Sequence, residues 1–178
     1  MIDPIVENET PILRETLKPV PKNLFGTAEL RDIIKRMSTS LRTTKFGVAI
    51  AANQIGIDYR IFVVRGFVLE NKEKHTEANA QEDVDRAFIN PKIVKVSRKK
   101  DILTEACLSV PGFSGTIKRS LQATVRAYDE EGIRFERGGS GLLAQIFQHE
   151  TDHLDGILYI DKAEEVHASN DLDEPNNE

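Results

Sequence analysis

The sequence has 178 residues, of which 39% are hydrophobic and 30% charged, so it suits one globular domain with a single core. It has no apolar run long enough to cross a membrane and no signal-peptide pattern. Its single cysteine, Cys107, excludes an internal disulfide, which fits a reducing compartment. The formal net charge of the chain is −5. Residues 163–178 contain six acidic residues and no Lys or Arg, so the remaining residues have a net charge of +1. A nearly neutral body gives no case for a nucleic-acid site.

The first third of the chain predicts an arm, a helix and a buried strand. Four prolines break up residues 2–21, which predicts an extended arm. Residues 27–42 predict an amphipathic helix with Thr27 as N-cap. Small residues dominate 47–56, and such a stretch lets a backbone approach a ligand or pack tightly against a helix. Residues 60–64 predict a short buried strand.

The middle of the chain is rich in strand patterns. Residues 67–86 are polar and predict a surface loop. Apolar and alternating runs then predict one or two strands at 87–96 and strands at 121–128 and 133–136, and residues 103–110 lead into a turn at Pro111-Gly112. With a helix before and after these strands, the order predicts an α+β fold of antiparallel sheets packed around the second helix. We expect one domain over residues 1–162 and a disordered acidic tail over 163–178.

The second helix carries the strongest chemical signal. Residues 142–156 have helical apolar spacing, with Ser140 as the expected N-cap and Gly156 as the expected end. They contain His149-Glu150-x-x-His153, which places two imidazoles on one helix face, where both can bind one metal ion. Glu150 can then act as a general base on a water molecule. The alternative is two unrelated histidines beside a glutamate by chance.

A catalytic metal site of this type needs a third protein ligand. The candidates are Cys107, the remaining histidines and the carboxylates. A thiolate is a strong ligand for iron or zinc, whereas a lone cysteine is as often a small buried hydrophobic residue. The residues alone therefore leave the third ligand open.

Three motifs in fixed order give a specific resemblance. They are residues 47–54 (Gly-Val-Ala-Ile-Ala-Ala-Asn-Gln), 105–109 (Glu-Ala-Cys-Leu-Ser) and 148–154 (Gln-His-Glu-Thr-Asp-His-Leu). Together they resemble the peptide deformylase family, over about residues 12–161, with the acidic tail outside it. The resemblance implies that three side chains bind one divalent ion, Fe(II), replaceable by Zn(II), Ni(II) or Co(II): Cys107, His149 and His153.

The resemblance also implies roles for residues around the metal. Glu150 would be the general acid and base, and Gln54 with the backbone N–H of Leu108 would stabilise an oxyanion. The implied reaction removes the N-formyl group from the formylmethionine of newly made proteins and releases formate. The substrate peptide would lie as an added strand against the small residues of the first motif, with three residues as contacts: Val48, Ala49 and Ala106.

The implied partners are N-formylmethionyl peptides, and an association with the ribosome stays open. No nucleic-acid site and no membrane contact are expected. The implied location is a bacterial cytoplasm, with an organelle or phage origin left open.

Two departures from the family pattern keep other functions in view. Ala49 and Ala106 stand where the family has glycine, and alanine is strained there if the backbone has a positive φ. We still expect activity, because every implied ligand, Glu150 and Gln54 are present. The alternatives are a metallopeptidase with His167 as third ligand, and a deformylase fold with an altered substrate or no catalysis.

Overall fold

The computed structural model describes residues 2–70 and 84–169, which form two antiparallel sheets and three α-helices. The strands are β1 (Ala49–Ala51), β2 (Ile61–Val64), β3 (Arg86–Val96), β4 (Lys100–Cys107), β5 (Val110–Ser120), β6 (Gln122–Tyr128), β7 (Arg134–Ser140) and β8 (Glu165–Ala168). The helices are α1 (Ala28–Arg42), α2 (Gly66–Leu69) and α3 (Leu142–Leu154). The larger sheet has the order β1-β2-β3-β6-β7 and the smaller one β4-β5-β8. The predicted α+β class with antiparallel sheets is confirmed.

Helix α1 covers one side of the larger sheet. The Thr27 hydroxyl accepts from Leu30 N at 3.3 Å, so Thr27 is the N-cap that the sequence predicted. The apolar face of α1 is fully buried at Leu30 and Met37, in a cluster with β1 and β2 residues such as Ile61. This burial of an apolar stripe is what stabilises α1 on the sheet.

Helix α3 packs on the opposite side of the larger sheet. Its Phe147 is fully buried, with its ring centroid 5.3 Å from that of Phe88 on β3. The expected N-cap, Ser140, is wrong: Ser140 ends β7, and Gly141 caps the helix at φ 55° and ψ −130°, a conformation that glycine tolerates and serine does not. The expected end at Gly156 is confirmed, since Gly156 has φ +74° and a Cβ there would lie 2.7 Å from the Arg14 backbone.

The N-terminal arm is less extended than its prolines predict. It contains a 3-10 turn at Pro11–Arg14, and a second 3-10 turn, Lys22–Leu24, follows the arm directly. Proline fits the first position of such a turn, because its missing N–H has no partner there anyway. Leu13 in the first turn is fully buried, so this turn anchors the arm to the body.

The smaller sheet corrects the predicted tail. Disorder from residue 163 onward is wrong for Glu165–Ala168, which forms β8 and pairs with β5. All four β8 side chains are exposed, so the strand depends on backbone hydrogen bonds and leaves no hydrophobic pattern in the sequence. Residues 170–178 of the predicted tail lie outside the described residues.

The predicted surface loop at 67–86 is likewise described in part. Its first residues belong to α2, its last residue begins β3, and residues 71–83 lie outside the described residues. Within the described ranges, no helix combines the length and apolar character needed to cross a membrane.

Candidate metal centre

Three metal-ligating side chains meet between α3 and the smaller sheet. Cys107 ends β4, and His149 and His153 lie one turn apart on α3. One ligand atom from each of the three lies within 4.8 Å of the other two. Cys107 Sγ is 3.1 Å from His153 Nε2, and both residues are buried. The structure therefore brings together all three residues that the resemblance named as ligands.

The donor set fits a divalent transition metal. One thiolate and two imidazoles suit Fe(II) and Zn(II), and three protein ligands leave a further position for water or substrate. His149 directs its Nδ1 to Glu105 at 2.8 Å, and this carboxylate–histidine contact is typical of a metal-binding imidazole. The contact leaves the Nε2 of His149 available for the ion.

Glu105 belongs to a buried network of charges that the sequence analysis missed. Arg119 on β5 donates to Glu105 from Nε at 2.8 Å and from Nη2 at 2.9 Å. Its Nη1 donates to Asp152 on α3 at 2.7 Å, and Lys162 donates to the same carboxylate. Burial opposes the charge of Glu105, but its hydrogen bonds to His149 and Arg119 lower its pKa to about 2.

Two of these network residues had a sequence signal. Glu105 and Asp152 lie inside the second and third motifs, next to the ligands, whereas Arg119 stands outside every motif. The network ties β4, β5 and α3 together behind the metal ligands. It therefore fixes the orientation of the His149 ring.

The two histidines differ in their environment in the absence of an ion. Burial disfavours charge on His149, but hydrogen bonds with Cys107 and Glu105 outweigh it and raise its pKa well above the ordinary value. Burial and the neighbouring charge of His149 lower the pKa of His153 well below the ordinary value. A neutral His153 keeps a lone pair free for a metal ion.

Glu150 is a buried carboxyl group with an unused oxygen. It is 4% exposed, and its Oε2 has no hydrogen-bond partner. Burial, reinforced by the Glu105 charge, raises its pKa to about 7, although the His149 charge opposes the rise. A carboxyl group with this pKa can both accept and release a proton near neutral pH.

Gln54 reaches the same site from the 3-10 turn Ala52–Ile55. Its Oε1 accepts from Ala51 N at 2.8 Å, which fixes the orientation of the amide. Its Nε2 then donates to Ser109 Oγ at 3.1 Å and approaches Cys107 Sγ at 3.5 Å. The Gln54 amide N–H groups therefore point toward the metal ligands, and Ser109 is a contact that the sequence analysis did not assign.

A cleft of about 760 Å³ opens onto these groups. The predicted substrate contacts Val48, Ala49 and Ala106 line it, and so does Leu108. Among the described residues, the non-glycine position with positive φ is Asn90. Neither Ala49 nor Ala106 is therefore in the conformation that would strain an alanine.

His167, the third ligand that a metallopeptidase would need, lies elsewhere. It is on β8, its side chain is 60% exposed, and it is 3.2 Å from Glu165. Within residues 2–70 and 84–169, the group with metal-binding geometry contains Cys107 and excludes His167.

Comparison with known proteins places the chain in a family. The model of the polypeptide deformylase family matches residues 2–169. The chain belongs to this family. The match extends through β8, beyond the limit near residue 161 that the motifs suggested.

Members of the polypeptide deformylase family from several sources are similar in sequence and fold. The peptide deformylase of Desulforudis audaxviator is 36% identical over 163 residues, covering 92% of this chain and 94% of that protein. Peptide deformylase 1A of Arabidopsis thaliana, chloroplastic/mitochondrial, is 36% identical over 162 residues, or 89% of this chain. The chain spans 60% of that plant protein's length. The crystal structure of the Thermotoga maritima enzyme superposes with a TM-score of 0.77 at 32% identity, covering 93% of this chain and 99% of that one.

Proposed function

We propose that this chain is a metal-dependent peptide deformylase. It hydrolyses the N-formyl amide of peptides that begin with formylmethionine and releases formate and a free N-terminal amine. The observation that carries the proposal is the convergence of Cys107, His149 and His153 beside Glu150, at the base of an open cleft. Membership of the polypeptide deformylase family, over residues 2–169, supports the same reaction.

The ion would be held by Cys107 Sγ and one ring nitrogen from each histidine. A bound divalent cation supplies Lewis-acid polarisation of the formyl carbonyl and makes a water molecule more acidic. The role of the Glu105–Arg119 pair is to hold His149 in the orientation that binding requires.

Glu150 moves the proton in this reaction. Its ionised form accepts a proton from the attacking water, and its protonated form then donates that proton to the leaving amine nitrogen. Burial suits both steps, because a pKa of about 7 keeps the two forms close in free energy near neutral pH.

Attack on the formyl carbon places negative charge on its oxygen. The proposed donors to that oxygen are the side-chain amide of Gln54 and the backbone N–H of Leu108, two residues that line the cleft. Gln54 is preorganised because Ala51 N holds its Oε1. Donors of this kind contribute about 10²–10³-fold each to the rate in other oxyanion holes.

The cleft suits an extended peptide. Strand β1 pairs with β2 on one side, and β4 pairs with β5 on one side, so each has one edge without a strand partner among the described residues. Ala49 on β1 and Ala106 on β4 both line the cleft. A formylated peptide would add as a strand to these edges, with its formyl group beside Cys107.

The native ion in this proposal is Fe(II), with Zn(II), Ni(II) and Co(II) as substitutes, because a thiolate with two imidazoles accepts all four. The enzyme acts where translation starts with formylmethionine, and we take the bacterial cytoplasm as that compartment. Its substrates are nascent chains, so it acts beside the ribosome.

The test is formate release from formyl-Met-Ala-Ser by protein purified without oxygen and loaded with Fe(II) or Ni(II). We expect release by the unaltered chain, and loss of at least about 10²-fold in Glu150→Gln with the ion still bound. Glu136→Gln is the matched control, because Glu136 is an exposed glutamate on β7, paired with Arg126. No release at one ion per chain would refute the proposal in favour of an altered substrate or no catalysis.

The same assay separates the metallopeptidase alternative. Cleavage of an internal peptide bond in an unformylated peptide, without formate release from the formylated one, would support that alternative. His167→Ala should then reduce cleavage, whereas a deformylase should be unaffected by it.

A further inference from the structure

Of the buried polar atoms that have no hydrogen-bond partner, two belong to residues that are hydrogen-bonded to each other. They are Asn53 Oδ1 and His153 Nδ1. Asn53 is 0% exposed and His153 is 1% exposed, so bulk water cannot satisfy either atom. Buried polar atoms are nearly always paired in folded proteins, directly or through an ordered water. Two such atoms, on residues that are hydrogen-bonded to each other, therefore point to a contact that forms in the metal-loaded protein.

Asn53 is already attached to the residue that carries the second of these atoms. Its Nδ2 donates to the backbone carbonyl of His153 at 2.8 Å, across 100 positions in the sequence. The amide oxygen is bonded to the same carbon as Nδ2, so the unpaired oxygen belongs to the same amide group that contacts His153. Asn53 shares its 3-10 turn with Gln54, so one turn of the chain contacts both His153 and Cys107.

The two histidines of the site differ in whether their second ring nitrogen has a hydrogen-bond partner. A metal-binding imidazole usually donates its second ring N–H to a carboxylate, a carbonyl or a water. His149 has Glu105 for this purpose, at 2.8 Å. His153 directs Nε2 toward Cys107, and its Nδ1 has no such acceptor. Asn53 Oδ1 is the unpaired buried oxygen on a side chain that already contacts His153, within residues 2–70 and 84–169.

We propose that Asn53 is the positioning residue of His153. Its Oδ1 accepts from one buried water that in turn accepts the Nδ1–H of the metal-loaded imidazole, and its Nδ2 holds the helix backbone at the same residue. Asn53 thus does for His153 what Glu105 does for His149, with a neutral amide in place of a carboxylate. The proposal rests on the metal site of the proposed function, but its test does not use turnover.

The test measures how fast the protein loses Co(II) to excess chelator. The Co(II)–thiolate absorption of the loaded protein reports the loss, with no substrate present. In other metal sites, loss of a hydrogen-bond partner of a ligand weakens metal binding about 10–100-fold. We therefore expect Asn53→Ala to lose Co(II) about 10–100-fold faster than the unaltered chain.

The matched control is Asn90→Ala. Asn90 also bridges two segments, because its side chain bonds both the N–H and the carbonyl of Val20, and within the described part of the chain its side chain bonds no metal ligand. Asn90→Ala should lower the unfolding temperature and leave the rate of Co(II) loss unchanged. An equal acceleration in both variants would overturn the proposal, because it would trace the effect to general loosening of the fold.

Asn53→Asp separates the two contacts of the side chain. It keeps an acceptor for His153 Nδ1 and removes the donor to the His153 carbonyl. If the acceptor matters, Asn53→Asp retains Co(II) within a few-fold of the unaltered chain and shows the same absorption maximum. If it loses Co(II) as fast as Asn53→Ala, the contact to the backbone carbonyl explains the effect and the proposal fails.

The outcome is independent of the deformylase assignment. Failure of formate release with normal Co(II) retention would count against the proposed reaction alone. Unchanged Co(II) retention in Asn53→Ala, with formate release intact in the unaltered chain, would count against Asn53 alone.

Discussion

Replacing Glu105 by glutamine should destabilise the metal-free protein substantially. Glutamine keeps the shape of the side chain but removes the charge that meets Arg119 and His149. The folded protein lowers the pKa of Glu105 from 4.5 to about 2. At about 1.4 kcal/mol per pH unit, this lowering corresponds to about 3 kcal/mol of stability at neutral pH. Glu105 is 4% exposed, so solvent screening reduces this figure little.

The pH dependence has a definite sign. A carboxyl group whose pKa is lower in the folded state stabilises the fold above its unfolded pKa and loses that contribution as the pH falls. For Glu105 the contribution is complete above about pH 4.5 and disappears toward pH 2. The unaltered protein should therefore lose stability over this interval more steeply than Glu105→Gln.

Urea unfolding of metal-free protein, followed by circular dichroism, measures both effects. At pH 7 we expect a loss of about 3 kcal/mol, or a fall in unfolding temperature of about 6–12 °C for a domain of this size. Arg119→Met and the double variant complete a double-mutant cycle. The double variant should be more stable than the sum of the single losses predicts, because each single variant leaves one member of the Glu105–Arg119 pair buried without the other, whereas the double variant removes both charges.

Two results would refute this reasoning. One is a loss below about 1 kcal/mol with the acid dependence unchanged, which would mean that Glu105 is not the group whose charge stabilises the fold. The other is strict additivity in the cycle, which would mean that Glu105 and Arg119 contribute independently.

Three further predictions concern the site and β8. Glu150→Gln should stabilise the metal-free protein by up to about 3 kcal/mol at pH 8, as measured by urea unfolding. Burial raises the Glu150 pKa from 4.5 to about 7, so the ionised carboxylate costs stability as the pH rises through this interval and beyond it. An unchanged urea midpoint would show that Glu150 is well solvated. Cys107→Ser should retain well under one metal ion per chain after gel filtration, whereas the control His167→Ala should retain as much metal as the unaltered chain. Equal metal content in all three proteins would show that Cys107 is not a metal ligand. Truncation after residue 163 should lower the free energy of unfolding by roughly 1–3 kcal/mol, because β8 has exposed side chains and is held by backbone pairing with β5. An unfolding temperature unchanged within error would show that β8 adds nothing to the stability of the fold.

The ligands on α3 were predictable because helical geometry is local. His149 and His153 are four residues apart, and the 3.6-residue period places both on one face whatever surrounds the helix. The α+β class followed from apolar periodicity for the same reason, since the periods of helices and strands are properties of short segments. The location of Cys107 beside these histidines followed from the family resemblance. The residues alone supported two interpretations of Cys107 equally, a metal ligand and a small buried hydrophobic residue.

The predictions that failed depended on partners distant in the sequence. β8 has four exposed side chains, and its hydrogen bonds are with β5, some fifty positions away. The cap of α3 moved from Ser140 to Gly141 because β7 continues to its last pairing with Gln122 before the helix begins. Strand pairing across the fold decided both, and no local pattern records it.

The sequence by itself determined that two imidazoles and a carboxyl group lie at helical spacing, and the thiol of Cys107 and the amide of Gln54 joined them only through the family resemblance. Only the tertiary structure decided what holds these groups in place. Arg119 reaches Glu105 and Asp152 because β5 pairs with β4 and also contacts α3, and Asn53 reaches His153 across 100 positions. Residue types with metal-binding or acid–base chemistry can be recognised in the sequence. The residues that hold them in place are recognised by their contacts, and these contacts form only when the chain folds.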